Sequence, residues 1–297
     1  MAFSKKQITL VFTLGTGSFG ETGSNQVTVS GLRISAKITQ DGGPSQNVCQ
    51  LRVFGLPPNI YNTLTAIYPI TTTSMRRNIV QVQAGDTTDG ASLSTVFIGQ
   101  IVVAQIDLNS QPDAVLNIIA SSAALANVVP VAPLSYPNGV SVANVMQSIA
   151  TSMGLVLENN GVTAMLPKSY FPGTASQQIQ LVVKASGIGC NNGDGQVLAI
   201  WPKGGTRATK GAIPVISYEK DMIGYPSYSN IGIGIKCLYR PDIVYASQIR
   251  IASSLTQIKG LNGLWAAYNI VHTLESEMPE GQWMTEFQGF NPAINNQ

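Results

Sequence analysis

The sequence predicts a mainly β protein in which two β-barrel-like domains flank a small α/β domain. Three observations support this fold class. Short runs rich in β-branched and aromatic residues, separated by Gly, Pro, Asn and Asp, dominate both ends of the 297-residue chain. Helical periodicity is confined to the middle, and strands at such regular spacing are typical of a barrel. We therefore expect domains at residues 1–130, 131–204 and 205–297.

The first domain contains six predicted strands. Clusters of turn-forming residues at 15–23, 41–44 and 86–90 separate them. A short helix is expected at 59–66, directly after two prolines, because proline is favoured at the start of a helix. The predicted strands cover residues 8–14, 26–38, 49–54, 79–84, 93–105 and 114–120.

The middle domain is predicted to have the order α-β-β-α-β. Ser141 is expected to cap a helix whose apolar residues recur every three or four positions and which ends near Gly154. Asn159-Asn160-Gly161 lies between two short apolar runs, which predicts a hairpin, and Gly187 is expected to end a second helix. The hairpin strands, the second helix and the last strand are predicted at 155–158, 162–166, 176–186 and 196–201.

The last domain ends in a long predicted hairpin that begins at Gly263, after strands expected at 213–217, 231–239 and 247–251. A turn is predicted at 278–281, Met-Pro-Glu-Gly, with Gly281 in the permissive backbone conformation. Trp283, Thr285 and Phe287 resume the two-residue period on the return strand. On the outgoing strand this period places Leu264, Ala266, Tyr268, Ile270, His272 and Leu274 on one face, and Trp265, Ala267, Asn269, Val271, Thr273 and Glu275 on the other. Because both faces carry apolar groups, both are expected to be covered.

Charged residues make up only 11% of the chain, against roughly 25% in an average soluble protein. Because removing a charge from water is costly, a surface of uncharged polar groups favours a subunit that buries much of its surface against partners. The alternative is a polar secreted β-protein without a partner. The net charge of +2, without any basic run, gives no basis for nucleic-acid binding.

The three cysteines, Cys49, Cys190 and Cys237, are widely spaced and include no Cys-x-x-Cys pair. We expect buried free thiols rather than a disulfide framework or a zinc site. This expectation favours synthesis in a reducing cytoplasm.

Two segments imitate targeting signals. Lys5 and Lys6 precede an apolar run at 8–14, but the run is short, β-branched and without an Ala-x-Ala site, so a first strand is expected instead of a signal peptide. Residues 114–157 contain no charge, yet prolines and polar residues interrupt the apolar character. No membrane span is therefore expected.

The sequence predicts a protein that is not an enzyme and has no catalytic, cofactor-binding or metal-binding residues. His272 is the only histidine, and it lies mid-strand on an apolar face without a Gly-x-Ser-x-Gly elbow elsewhere. Gly15, Gly17 and Gly20 follow a strand, but the helix that a dinucleotide-binding fingerprint requires does not follow them. We expect this glycine-rich segment to be a hairpin tip.

Two acidic patterns partly match known kinds of site. Residues 191–195, Asn-Asn-Gly-Asp-Gly, match part of a calcium loop but lack its bidentate glutamate, so a tight turn is expected. Glu275 and Glu277 are spaced to share one strand face, with Glu280 and Glu286 nearby, and two carboxylates are the minimum for glycoside hydrolysis. The same spacing is typical of solvated hairpin ends.

Small basic clusters occur at two places. One is Arg76-Arg77, and the other consists of Lys203, Arg207 and Lys210. In an isolated domain they would be solvated loops. In an assembly they could contact acidic residues of neighbouring subunits.

The order and spacing of several short motifs resemble the baseplate hub proteins of tailed bacteriophages over most of the chain. In the closing hairpin the matching positions are Gly263, Trp265, His272, Leu274, Pro279, Gly281, Trp283 and Thr285. Weaker similarities are Arg52-Val53-Phe54-Gly55-Leu56 with Asn62, Gln83-Ala84-Gly85, Val96-Phe97 with Gly99 and Ile101, Pro214-Val215-Ile216-Ser217 with Gly224 and Pro226, and Cys237-Leu238-Tyr239 with Pro241.

The resemblance implies a structural virion protein, a homotrimeric hub whose two β-barrel-like domains make it a ring subunit. Such a hub connects the tail tube protein to the central spike or tip protein, and its inserted domain meets other baseplate proteins. The genome or the tape-measure protein could pass through the lumen without specific nucleic-acid binding. The resemblance also implies location in the phage tail baseplate after synthesis in the host cytoplasm. The alternatives are the hub or spike carrier of a bacterial contractile injection system and a peptidoglycan-binding or -cleaving tail module.

Overall fold

The computed structural model describes residues 5–20, 23–65, 78–87, 92–109, 114–194, 196–209, 211–229, 232–256 and 258–291. The chain divides into two compact units. Unit 1 comprises residues 1–39, 47–125 and 272–283, and unit 2 comprises residues 40–46, 126–271 and 284–297. Strands outnumber helices in the described residues, which confirms the mainly β prediction. The three-domain division of the sequence stays a prediction.

The described residues up to position 128 form eight strands and two short helices. These are β1 (Lys6–Thr13), β2 (Gln26–Ser30), β3 (Ile34–Gln40), β4 (Gly43–Gln46), β5 (Val48–Phe54), α1 (Pro58–Leu64), β6 (Ile79–Asp86), β7 (Ser94–Asp107), β8 (Val115–Ser121) and α2 (Ala124–Val128).

The described residues after position 128 form thirteen strands and two longer helices. These are β9 (Leu134–Tyr136), β10 (Val140–Ser141), α3 (Val142–Ser152), β11 (Val156–Asn159), β12 (Met165–Leu166), β13 (Ser169–Phe171), α4 (Ala175–Ser186), β14 (Gly189–Asp194), β15 (Val197–Trp201), β16 (Val215–Ile216), β17 (Ser227–Ser229), β18 (Gly232–Leu238), β19 (Gln248–Ile251), β20 (Gly263–Ser276) and β21 (Trp283–Phe290). No helix among the described residues is long and apolar enough to cross a membrane.

Unit 1 is built on an antiparallel sheet with the strand order β3–β5–β8–β7–β6–β1–β2. Next to β3 lies the distal part of β20, residues 272–276. There the hydroxyl of Ser276 donates to the carbonyl of Leu32 at 3.3 Å. The strands alternate between buried apolar and more exposed side chains, as a half-buried strand does. The core they form includes Ile8, Leu10, Phe12, Ile34, Ile38, Leu51, Val80, Val82, Leu116 and Ile118.

The sheet of unit 1 is open rather than closed. Among the described residues, β2 and the distal part of β20 lie at its two ends and do not pair with each other, so the expected barrel closure is absent. The alternating pattern could not reveal this, because strands of open and closed sheets share the same two-residue period. Gly31, with a φ of 70°, also divides the predicted 26–38 strand into β2 and β3.

The α/β part of unit 2 packs α3 and α4 against a four-stranded sheet of order β11–β15–β14–β4. α3 begins after Ser141 and α4 ends at Gly187, as predicted. The hydroxyl of Ser141 accepts from the backbone N–H of Asn144 at 3.2 Å, and Thr174 with Gln177 forms a capping box at the start of α4. Gly187 ends α4 in the left-handed conformation, with a φ of 70°.

The hairpin predicted at 155–166 is wrong. β11 instead pairs in parallel with β15, and β12 pairs with β10. The turn itself exists, because the Asn159 side chain both accepts from and donates to the backbone of Val162. The side-chain amide and backbone N–H of Asn160 both donate to the carbonyl of Ile200, which holds this end of β11 beside β15. Asn-Asn-Gly indicated a chain reversal but not which strands pair across it.

The β part of unit 2 has the strand order β17–β18–β21–β20, with β19 beside the proximal part of β20 and β16 beside β19. This sheet is also open among the described residues. Its core is aromatic and β-branched, and it includes Trp201, Ile216, Ile233, Ile235, Ile249, Trp265, Ile270 and Phe287.

The two faces predicted for β20 are wrong because the two-residue period is interrupted. Asn269 has a φ of 47°, a left-handed conformation that asparagine tolerates better than most residues. Before it, Trp265 and Ala267 enter the hydrophobic core, and after it the core residue is Ile270. The positions that belong to this core thus change from odd to even numbers at Asn269, although Ala266 is buried as well. In the turn after β20, Glu277 and Glu280 have positive φ values of 52° and 58°. The sequence analysis had expected this backbone conformation at Gly281 instead.

We expect Asn269→Val to be less stable than Asn269→Gly by about 1–2 kcal/mol, because a β-branched residue resists the left-handed conformation. Both changes remove the hydrogen bond from the Asn269 amide to Gln288, so the comparison isolates the backbone. Urea unfolding of the two variants measures the difference. Equal stabilities would contradict the interruption of β20.

Candidate interaction surfaces

His272 is buried in the distal part of β20 and is 1% exposed. Burial lowers its pKa to about 4, so the imidazole is neutral at physiological pH. A catalytic base must reach its substrate, which a side chain inside the sheet of unit 1 cannot do. The structure therefore places this residue in the core, as the sequence predicted.

The three cysteines are free and buried, as predicted. Burial raises the pKa of Cys190 and of Cys237 to about 12 and raises that of Cys49 as well. Because the thiolate is the reactive form, these thiols have no nucleophilic role.

The carboxylates near the hairpin turn do not form a catalytic pair. Glu275 accepts from the backbone N–H of Gln282 at 2.9 Å and from the hydroxyl of Ser35 at 3.3 Å. Glu277 lies beyond the end of β20 with a positive φ, so the two do not share a strand face as predicted. Glu286 forms an ion pair with Lys236 at 2.9 Å. The described part of the chain contains no group of three or more His, Cys, Asp or Glu residues that could hold a metal.

The two glycine-containing loop motifs lie beside or within paired strands in the described residues. The glycines at 15–20 lie between β1 and β2, closed by hydrogen bonds from Leu14 to Asn25 and from Phe19 to Ser24. This confirms the hairpin tip. The tight turn predicted at 191–195 is wrong for residues 191–194, which belong to β14. Asn191, Asn192 and Asp194 pair with β15. Gly195 lies outside the described residues.

Arg207 is a buried ion-pair partner, not the solvated loop residue of the sequence-based interpretation. Its guanidinium donates to both carboxylate oxygens of Glu158 at 2.7 and 3.0 Å, and its side chain is 3% exposed. Nearby, the backbone N–H of Ala208 donates to the side chain of Asn160. Of the other predicted basic residues, Lys203 is exposed, and Arg76, Arg77 and Lys210 lie outside the described residues.

Arg240 organises a second set of charges in unit 2. Its guanidinium donates to Asp221 at 2.6 Å, to Asp242 at 2.7 and 2.9 Å, and to the carbonyl of Val215 at 3.2 Å. The hydrogen bond to Asp242 and the nearby carboxylates raise the pKa of Arg240, so it stays charged. The guanidinium of Arg240 thus connects two carboxylates with the start of β16.

Exposed apolar side chains occur among residues 215–238 of the same region. We call them the tyrosine surface, and they are Val215, Tyr218, Ile223, Tyr225, Tyr228 and Leu238. The rings of Tyr218 and Tyr225 stack with centroids 5.9 Å apart. Tyr228 is 80% exposed. Tyrosine is enriched at protein interfaces, so this surface has the composition of a docking site.

The sequence analysis missed the tyrosine surface. A signal was present, because three tyrosines occur between positions 218 and 228. Without the strand order, however, the periodicity could not tell whether they line a core or an edge. In the structure, the backbone N–H of Ile223 donates to Lys236 and that of Leu238 to Asp221. Residues 221–229 therefore run along the outer edge of β18, which leaves the tyrosines exposed.

The described residues combine open sheets with an exposed aromatic surface. Solved structures with a similar fold include tail proteins. A tail protein from Neisseria meningitidis MC58 has a TM-score of 0.63 at 10% identity, covering 97% of both chains. The 43 kDa tail protein of prophage MuSo2 from Shewanella oneidensis has a TM-score of 0.60 at 11% identity, covering 95% of this chain and 96% of that one.

A third similar structure is a type VI secretion system component of E. coli, itself described as similar to the T4 tail proteins gp27 and gp5. Its TM-score is 0.56 at 10% identity, and the match covers 87% of this chain and 73% of that one. At these identities the likeness concerns the fold alone. No curated protein matches the chain significantly.

The family model described as Baseplate hub gp41 matches residues 8–283, so the chain belongs to the baseplate hub gp41 family. This membership confirms the resemblance found in the sequence. The protein is a structural hub component of the baseplate.

We expect Arg207→Ala to lower the free energy of unfolding by about 3–5 kcal/mol, because it leaves the carboxylate of Glu158 without its bidentate partner in a largely buried site. Lys236→Ala is the matched control, since its ion pair with Glu286 is solvent-exposed and worth less than about 1 kcal/mol. Urea unfolding measures both. An Arg207→Ala variant no less stable than Lys236→Ala would refute the structural role of this pair.

Acid should destabilise the fold through His272, because the unfolded chain binds its proton with an ordinary pKa of about 6.5 and the folded chain with a pKa of about 4. The contribution of His272 to the free energy of unfolding is fully present above pH 6.5. It is lost as the pH falls to about 4, and the total loss is about 3 kcal/mol. His272→Gln should lose this part of the pH dependence. Urea unfolding of both proteins across this range measures it, and parallel curves would count against a neutral, buried histidine.

Proposed function

We propose that the chain forms a homotrimeric ring that joins the tail tube to the central spike or tip protein. Membership of the hub family over residues 8–283 is the observation that carries this proposal. Two open sheet units in each chain, present in three copies, would supply six β units around a lumen. Open sheet edges also favour assembly, because their unpaired backbone groups gain hydrogen bonds from a neighbour.

Composition supports the same assignment. With 11% charged residues, the surface can be dehydrated at low cost when subunits meet. A net charge of +2 without a basic run suits a lumen through which the genome or tape-measure protein passes, since strong phosphate contacts would slow passage. Three buried free thiols suit synthesis in the host cytoplasm. The role is mechanical, without catalysis.

The α/β part of unit 2 is proposed as the contact for other baseplate proteins, within the domain division 1–130, 131–204 and 205–297. Its hydrophobic cluster includes Leu198 and Ile200 of β15, whereas Ala199 and Trp201 of the same strand belong to the cluster of the β part. Its α4 face bears a groove of about 460 Å³, lined by Pro172, Gly173, Gln177, Gln180, Leu181 and Lys184.

A second candidate is the hub of a contractile injection system, which the fold likeness to the type VI secretion component favours. Mass spectrometry of purified particles distinguishes the two. The phage hub copurifies with DNA-filled virions, whereas an injection-system hub is found in particles without a capsid.

We expect the purified chain to have a native mass near three times 31.4 kDa and a ring with a central hole in negative stain. Sedimentation velocity and electron microscopy of the same sample test this. A monodisperse monomer, unchanged by addition of the tail tube protein and the spike protein of the same particle, would overturn the trimeric ring.

A further inference from the structure

Asparagine is followed by glycine at four places in the chain, and the fold gives these pairs different surroundings. Asparagine is thermally labile. It reacts most readily before glycine, because a following residue without a side chain leaves its backbone nitrogen open to the asparagine side chain. Since the dipeptide is the same each time, differences in reactivity must come mainly from the fold. The pairs are Asn138–Gly139, Asn160–Gly161, Asn192–Gly193 and Asn262–Gly263.

Asn160 and Asn192 are held on the four-stranded sheet of unit 2. The side-chain amide of Asn160 donates to the carbonyl of Ile200 and to the carboxylate of Glu158, both at 3.1 Å. Its side-chain oxygen accepts from the backbone N–H of Ala208 at 2.9 Å. Asn192 lies within β14 and is 1% exposed. Neither side chain can turn towards the following backbone nitrogen without losing contacts with the sheet.

Asn262 is exposed but its side chain is fixed at both polar atoms. The amide donates to the carbonyl of Ser253 at 2.9 Å, and the side-chain oxygen accepts from the backbone N–H of the same residue at 2.9 Å. Because these hydrogen bonds must break before the side chain can move, exposure alone does not make Asn262 reactive.

Asn138 is exposed and makes no side-chain hydrogen bond to any residue that the structure describes. It lies in the turn between β9 and β10. Glycine is required next to it, because Gly139 has a φ of 81° and a Cβ there would lie 2.9 Å from the carbonyl oxygen of Leu166. The fold thus retains the glycine that makes Asn138 reactive and does not restrain the Asn138 side chain.

We propose that Asn138 is a site of spontaneous deamidation in the folded chain. The backbone nitrogen of Gly139 attacks the side-chain carbonyl carbon of Asn138, and the bond from this carbon to the amide nitrogen breaks. Ammonia leaves with the proton of the Gly139 N–H, and a cyclic imide remains. Water then opens the imide at either of its carbonyl carbons, which gives aspartate or isoaspartate.

Deamidation changes both the charge and the main chain of this turn. A carboxylate at position 138 is the only charged side chain between positions 114 and 157. Isoaspartate also adds one carbon atom to the main chain, three residues before Ser141, whose hydroxyl caps α3. The reaction takes place within a single chain and is independent of the proposed trimer.

Timed incubation of the full chain at mildly alkaline pH, in buffer and in concentrated guanidinium chloride, tests this site. Peptide mass spectrometry quantifies aspartate and isoaspartate at each of the four pairs. In buffer, Asn138 should react at least about tenfold faster than Asn262, a ratio that corresponds to about 1.4 kcal/mol of activation free energy. In denaturant the two rates should converge, because unfolding removes the hydrogen bonds that hold Asn262.

Asn138→Gln is the matched variant, because glutamine keeps the amide but closes the corresponding larger ring much more slowly. Ion-exchange chromatography should show that this variant loses most of the acidic species that wild type accumulates in buffer, and circular dichroism verifies that it is folded. Three results would each overturn the site. They are equal rates at Asn138 and Asn262 in buffer, no product at Asn138 while the unfolded chain reacts, and an Asn138→Gln variant that becomes acidic as fast as wild type.

Discussion

The left-handed backbone at Asn269 is the constraint on which the long hairpin depends. β20 contributes residues 263–271 to unit 2 and 272–276 to unit 1. A regular strand would keep one parity and would leave either Trp265 and Ala267 or Ile270 outside the hydrophobic core of the β part. Burying a large apolar side chain is worth about 1.5–3 kcal/mol. The local strain at Asn269, about 1–2 kcal/mol, is therefore smaller than the burial that it permits.

Local signals allowed much of the fold to be predicted from the sequence. Ser141 and Gly187 marked helix boundaries through their own hydrogen-bonding and backbone preferences, and alternating residues marked most strands. Pairing between strands that are distant in sequence is a nonlocal property and was not predicted. Parallel pairing of β11 with β15, the strand β14 and the open sheets depend on partners that are distant in sequence. The interruption at Asn269 was also missed, because asparagine in a strand pattern does not by itself indicate a positive φ.

Predictions about function divided in the same way. The burial of His272 and of the cysteines, and the hairpin at the glycine-rich tip, followed from residue types and were predictable. Arg207 was misjudged, because its partner Glu158 lies 49 positions away in sequence and only the folded chain brings the two together. The tyrosine surface was missed for a related reason. Whether an aromatic residue lies in a core or on an edge is decided by the order of strands in the sheet.

Burial of every thiol has a practical consequence for chemical labelling. The chain has three cysteines, and all three are enclosed in hydrophobic surroundings that keep the sulfur protonated. Maleimide reagents require an accessible thiolate and should therefore not react with the native protein. One cysteine introduced on an exposed loop would be the sole attachment point for a fluorophore or a spin label. Distances between copies could then be measured in assembled particles without first removing the natural cysteines.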